Sequence, residues 1–261
     1  AVSITGGATD GTLYLLAGPV LVDADVYEVH GTFTGSRRVT YSKSFGFDGV
    51  DARYGRVILS DGRTGVSSIR LLLTKGALAR LGPPLAGYGY SPALGPGGRF
   101  SYAAFSSNAN TIFVARLGHR GTRAVLRAHA TTTDSAWSPS GRLAVLVGNG
   151  RNAHITIGVG TASARIVRPR LPGLVDLIGG GRAGMMALYA RGAIGLLQWD
   201  GRLRAVRTAW TPDCFSPDGR DVLVTSPDRS RLGLMAVTTG AITPVANVAH
   251  GVFVAAAWTS G

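Results

Sequence analysis

Asp213-Cys-Phe-Ser-Pro-Asp-Gly-Arg-Asp-Val-Leu-Val-Thr225 decides the fold, because it repeats Asp134-Ser-Ala-Trp-Ser-Pro-Ser-Gly-Arg-Leu-Ala-Val-Leu-Val147. Both read as an aromatic residue, Ser-Pro-x-Gly-Arg, then an apolar strand. The order encodes a hairpin. A short strand ends on the aromatic side chain, proline presets the turn, glycine supplies the left-handed backbone angle, and a second strand returns. Recurrence of one such unit along a glycine-rich chain is the mark of a repeat architecture.

With this template fixed, weaker copies emerge. Phe33-Thr-Gly-Ser-Arg-Arg-Val-Thr-Tyr41 keeps the aromatic residue and the strand. Tyr90-Ser-Pro leads, after a four-residue insertion, to Gly97-Gly-Arg-Phe-Ser-Tyr102. The stretch from Leu177 to Tyr189 keeps the turn glycines and the strand, and the final copy is Ala257-Trp-Thr-Ser-Gly261. Taking Phe33, Tyr90, Trp137, Leu177, Phe215 and Trp258 as equivalent anchors, the intervals are 57, 47, 40, 38 and 43 residues, and the wrap from Trp258 to Phe33 is 36. A wrap so close to a repeat length means six units, one of them divided between the two chain ends.

Each unit reads as four short strands, which in the third fall at 132–137, 142–147, 154–159 and 164–167. Strands of roughly 5 residues joined by ordinary loops use up the chain. The expectation is therefore an all-β, six-bladed β-propeller of four-stranded blades over a single domain, 1–261. Its blades fall near 24–65, 66–122, 123–163, 164–201 and 202–244, with the last shared by 1–23 and 245–261. In that last blade the strand ending at Trp258 is expected to pair with 2–5, followed by 12–16 and 20–23, so that no blade is left at an open end.

The Ser216 to Arg220 hairpin, with its variant at Ser138 to Arg142, resembles the repeat of TolB-like six-bladed β-propellers. The resemblance spans the chain through the six-fold spacing, and two repeats match the motif closely. It implies a propeller fold and a location that is periplasmic, at the cell surface or secreted. About activity it says little, since the family includes envelope scaffolds and the propeller halves of peptidases.

Composition agrees with turn-rich β structure. Of 261 residues, 16% are charged and 45% hydrophobic, with 38 Gly and 12 Pro, which excludes a disordered tail, a coiled coil and a helical bundle. The net charge of +13 is an arginine effect, since Lys43 and Lys75 are the only lysines. Cys214, the only cysteine, excludes an intrachain disulfide and a cysteine-based zinc site. The longest uncharged stretch, 241–261, is interrupted by Thr243, Pro244, Asn247 and His250 and makes a poor membrane span.

Chemistry is thinly supplied. Glu28 is the only glutamate, and the sequence holds neither a Gly-x-Ser-x-Gly elbow nor a phosphate loop of the Gly-x-x-x-x-Gly-Lys type. Channel-mouth candidates are Asp134, Asp176 and Asp213, which stand three, one and two residues before their anchors and so fall in different layers. His30 stands three before Phe33 and would share the layer of Asp134; His129 and His250 complete the set. No metal site and no cofactor is expected. The residues just before the anchors, Thr32, Gly89, Ala136, Asp176, Cys214 and Ala257, are nearly all small, as crowding at the axis requires.

Arginines gather in three groups: Arg116, Arg120, Arg123 and Arg127; Arg165, Arg168 and Arg170; Arg202, Arg204 and Arg207. All fall around the outermost strands of consecutive blades and form a basic rim. Edge protection accounts for them, and binding of an anionic polymer or nucleic acid is the functional alternative, although aromatics for base stacking are missing. The preferred reading is a monomeric, non-catalytic module that binds a protein partner or ligand through its loops, with 92–97 and 44–54 as contact loops. A hydrolase or lyase at the channel mouth, built on His30 and Asp134, is the rival.

Overall fold

The computed structural model describes residues 2–4, 11–18, 24–30, 36–40, 47–63, 66–73, 77–86, 89–106, 109–129, 134–178, 185–248 and 252–259. Strands follow one another with almost no helix between them. In chain order they are β1 (Val2–Ile4), β2 (Thr12–Gly18), β3 (Asp25–His30) and β4 (Ser36–Arg38). Blade 1 is β5 (Phe47–Arg53), β6 (Arg56–Arg63), β7 (Val66–Leu72) and β8 (Leu78–Ala86). Blade 2 is β9 (Gly89–Leu94), β10 (Arg99–Ser106), β11 (Ala109–Arg116) and β12 (Thr122–Ala128). Blade 3 holds β13 (Ser135–Trp137), β14 (Leu143–Val147), β15 (His154–Ile157) and β16 (Arg165–Val167). Blade 4 holds β17 (Leu174–Ile178), β18 (Met185–Ala190), β19 (Ala193–Gln198) and β20 (Leu203–Arg207). Blade 5 holds β21 (Thr211–Phe215), β22 (Asp221–Thr225), β23 (Arg231–Ala236) and β24 (Ile242–Val248), and β25 (Val252–Thr259) ends the series.

These strands form six antiparallel sheets, and the sixth joins the two ends of the chain in the order β25-β2-β3-β4. Trp258 pairs with Leu13, not with residues of 2–5. The three N-terminal strands of this blade are 12–18, 25–30 and 36–38, so it reaches past residue 23. Val2–Ile4 instead adds a fifth strand to the outer edge of blade 5, with Val2 opposite Val248. Phe33 and Thr32 lie outside the described residues. The innermost strand of blade 1 is Phe47–Arg53, whose two-residue turn Tyr54-Gly55 lacks the proline that marks the better copies.

The second repeat has no insertion. Gly95 N–H donates to Arg99 O at 2.7 Å, as Ser138 N–H does to Arg142 O and Ser216 N–H to Asp221 O. Gly95-Pro-Gly-Gly-Arg99 is thus the turn itself, and Leu94, opposite Phe100, is the anchor of this repeat in place of Tyr90. Serine is missing here for a steric reason, because a Cβ at Gly95 would lie 2.7 Å from Cδ2 of the Trp137 indole. Restoring the motif with Gly95→Ser is expected to cost about 1–3 kcal/mol through overpacking, read as a lower denaturation midpoint.

The core is divided into six wedges, one at each seam between neighbouring blades. Leu13, Leu15, Phe253 and Trp258 pack against Leu223 and Leu232 at the seam with blade 5. Leu16 and Val26 meet Leu59 and Val57 at the seam with blade 1. Trp137 and Leu143 meet Ile112 and Ala103 between blades 2 and 3. Alternating strand residues face opposite seams, so both faces of a blade are apolar.

A second tie crosses the seams at the rim. Residues aligned across each sheet with the position before the anchor end, on the outermost strand, at Arg37, Ala79, Arg123, Arg165, Arg204 and Thr243. Arg165 donates to the carbonyls of Trp199 and Asp200 in blade 4. Arg204 donates likewise to Val237 and Thr238 in blade 5. Two of the rim arginines therefore fasten one blade to the next hairpin.

Candidate functional site: an acidic axial channel

Inner strands carry β-bulges, which bend the strand and shift its register by one residue. Val175 is the extra residue between Leu174 and Asp176, Asp213 the one between Pro212 and Cys214, and Val254 the one between Ala255 and Phe253. A cavity of about 240 Å³ runs along the axis, its wall including Asp51, Asp134, Asp176, Asp213, Arg53 and Arg229. A second, of about 380 Å³, opens from the upstream ends of the inner strands and shares Asp176, Thr211, Asp213 and Arg229 with the first.

The three aspartates meet, contrary to the layers assigned from their spacing. Asp134 and Asp176 share a hydrogen bond. The register explains it: Ile178 of blade 4 aligns with Arg204 as Ala136 of blade 3 aligns with Arg165. Ile178 is therefore the residue before the anchor, and Asp176 stands two before it, as Asp134 stands two before Ala136. Leu177 is not the counterpart of Trp137. Of the six small inner residues expected, Ala136, Cys214 and Ala257 occupy the aligned position; Asp51, Ala93 and Ile178 take the others.

Burial first, and then the charge of Asp176, pushes the Asp134 carboxyl well above the usual range. Two buried carboxyls this close hold one proton between them. Asp213 is pushed up to about 7, chiefly by burial, against the opposing effects of the Thr225 hydroxyl, which donates to it, and the Arg229 charge. An unfolded aspartate titrates near 4, so between about pH 4 and 7 the native state holds the extra proton and stability declines as pH rises. Asp213→Asn is expected to flatten that decline, with a higher melting temperature than the parent at pH 8 and little difference at pH 4. Asp51 is engaged differently, accepting the Leu94 N–H at 2.6 Å and pairing with Arg53 at 3.3 Å. Arg53 in turn donates to the Trp137 carbonyl. Cys214, the free cysteine, is buried beside Asp213, and desolvation pushes its thiol well up, which makes it inert.

Arg229 was absent from the sequence candidates, although the sequence marks it. Ser226-Pro-Asp-Arg-Ser-Arg231 repeats the chemistry of Ser216-Pro-Asp-Gly-Arg220. Ser216 Oγ donates to Asp218 and accepts from Asp221 N–H at 3.0 Å; Ser226 Oγ bonds Asp228 and accepts from Arg231 N–H at 3.0 Å. Where the first turn has Gly219 at φ 74°, the second holds Arg229 at φ 57°. A left-handed arginine costs about 1–3 kcal/mol, and here the strained residue lies at a cavity mouth.

The histidines do not join this site. His30 ends β3, the third strand of the shared blade, and pairs with Thr12, well out from the inner ring. The spacing misplaced it because residues 24–38 complete the shared blade and do not open blade 1. His129 follows β12 at an exposed position, and His250 lies outside the described residues. The pair a hydrolase would need, His30 with Asp134, is not brought together. Arg123 and Arg127 lie on β12, Arg165 on β16, and Arg204 and Arg207 on β20, each an outermost strand. Arg116 ends β11, Arg120 and Arg202 occupy hairpins, and Arg168 and Arg170 follow β16. Among the described residues no helix is long and apolar enough to cross a membrane, and no group of three His, Cys, Asp or Glu could hold a metal ion.

Six sheets round a carboxylate-lined axis define a closed β-propeller of the TolB-like kind. A solved structure of TolB from Acinetobacter baumannii matches 97% of this chain and 67% of its own, with a TM-score of 0.81 and 16% identity. A nidogen/laminin complex matches over 95% of this chain and 97% of that one, with a TM-score of 0.76 and 13% identity. A structure from a study of two prolyl endopeptidases matches 94% of this chain and 50% of its own, with a TM-score of 0.57 and 14% identity. At such identities the likeness is one of fold. No family model matches the sequence. No match is found among curated proteins either.

Proposed function

We propose that this propeller is a non-catalytic binding module that takes a segment of a protein partner at the upstream mouth of its channel. The observation that carries this reading is the continuity of the two cavities through Asp176, Thr211, Asp213 and Arg229. A partner offering a cationic or hydrogen-bond-donating side chain would meet the two carboxyls, while Arg229 would receive a carbonyl or carboxylate. The likeness to a nidogen/laminin complex supports a protein as the partner. The TolB likeness supports, within the same reading, a bacterial location outside the cytoplasm, whether periplasmic, cell-surface or secreted.

Arg229→Gly tests it, because glycine adopts the left-handed angle without strain. The variant is expected to melt at or above the parent temperature while capture of the partner from native cells falls at least tenfold. Equal capture by Arg229→Gly and by Asp213→Asn, both folded, would remove the mouth from the interaction.

A further inference from the structure

On the downstream side, where inner-strand ends turn into hairpins, the seam between blades 1 and 2 differs from those that follow blades 3 and 4. Its rim position is Ala79, where blades 3 and 4 place Arg165 and Arg204 against the following hairpin. Against the neighbouring Arg80 and Leu81 a cavity of about 540 Å³ opens, bounded by the hairpin from Arg116 to Thr122 and floored by Phe100 and Ala115. A second cavity of about 470 Å³ adjoins it through Arg116 and His119, and is walled by Arg53, Tyr54 and Arg56 on one side and the Gly95–Gly98 turn on the other.

The charge here has one sign. Among the described residues, five arginines line the two cavities and no Asp or Glu does, although Arg53 pairs with Asp51 behind the wall. The sequence explains why: between Asp61 and Asp134 it holds nine Arg or Lys and no acidic residue. Arg116 is held in place by its Nε–H donation to Gly97 O at 3.2 Å. None of the described residues that line the cavity with Arg120 is acidic. One aromatic is strained into this place. Tyr54 takes φ 54° in the two-residue turn before Gly55 and remains 53% exposed. Asn or Asp would adopt that angle at far lower cost, and a bulky residue there is an outlier.

We propose that this seam is a binding site for a small soluble organic anion with an aromatic body. The anionic group would sit among Arg116, Arg120 and the neighbouring arginines, and the ring would lie on the apolar floor of Leu81 and Phe100 or against Tyr54. The cavity volume suits such a molecule, and arginine forks suit a phosphate or carboxylate. Of the segments 92–97 and 44–54 expected from the sequence as contact loops, 47–53 belongs to β5 and 92–94 to β9, and only their ends, Gly95 to Gly97 and Arg53 with Tyr54, reach this site. The site is independent of the protein-partner reading.

Calorimetric titration with 1-naphthyl phosphate tests it. Saturable one-to-one binding is expected, with inorganic phosphate and 1-naphthol each at least tenfold weaker. Arg116→Gln/Arg120→Gln should weaken binding at least tenfold and Tyr54→Ala several-fold. Arg168→Gln/Arg170→Gln, which removes as much charge elsewhere on the rim, should leave it unchanged. Unaltered melting temperatures for all variants establish that each is folded. Equal losses in the two double variants, inorganic phosphate binding as tightly as the ester, or no saturable binding by the parent would each overturn the proposal. So would displacement of the ester by a single-stranded oligonucleotide whose own binding the Arg168/Arg170 variant weakens equally.

Discussion

Deleting residues 252–261 is expected to leave a chain with no cooperative thermal transition, whereas deleting residues 1–10 should lower the melting temperature by only a few degrees. Both truncations remove ten residues from an end, but they remove different things. Val252–Thr259 is the innermost strand of the shared blade, and Phe253, Ala256, Ala257 and Trp258 are buried on both of its flanking seams. Without it β2 loses its inner partner along seven residue pairs, and blades 1 and 5 face each other across a gap. Removing β1 loses three residue pairs at the outer edge of a sheet that keeps four other strands. Scanning calorimetry of the two truncations gives the comparison. A cooperative transition in the C-terminal truncation within a few degrees of the parent would mean that β25 is not what closes the ring.

Trp137→Ala is expected to cost about 3–5 kcal/mol, the range for emptying a large aromatic site in a core. At about 2–4 °C per kcal/mol for a domain of this size, the melting temperature should fall by roughly 6–20 °C. Trp137 is buried at the seam of blades 2 and 3, its indole N–H donates to Ser101 Oγ at 2.9 Å, and Ser101 in turn bonds Ser135 at 2.8 Å. Arg99 lies over its ring at 5.3 Å, and Gly95 leaves the space its other face fills. Truncation would therefore open a cavity and strip the Ser101 hydroxyl of a donor. Trp137→Phe keeps most of the volume and should lose well under half as much; comparable losses for the two would assign the cost to the hydrogen bond and not to packing.

The ring was legible from two hairpins because their turn chemistry is local: proline, glycine and serine act within five residues. It blurred where a neighbour in space overrode the motif. Trp137, forty-two positions away, forced Gly95 into the serine position, and that substitution hid the second repeat behind Tyr90. Register in blade 4 could not be read for a different reason. Bulges shift strand alternation by one residue without any obligatory sequence mark, so Asp176 was placed in the wrong layer and its meeting with Asp134 was missed. Arg229 was readable, as an arginine in a turn that elsewhere takes glycine, but only to an eye comparing consecutive turns within one blade.

The shared blade also dictates an order of assembly. Each of blades 1 to 5 is contiguous in sequence and can fold as it leaves the ribosome. β2, β3 and β4 are made before any of them, yet their inner neighbour is translated last among these strands. Through most of synthesis Leu13 and Leu15, whose cover is blade 5 and β25, therefore wait exposed until the circle is complete.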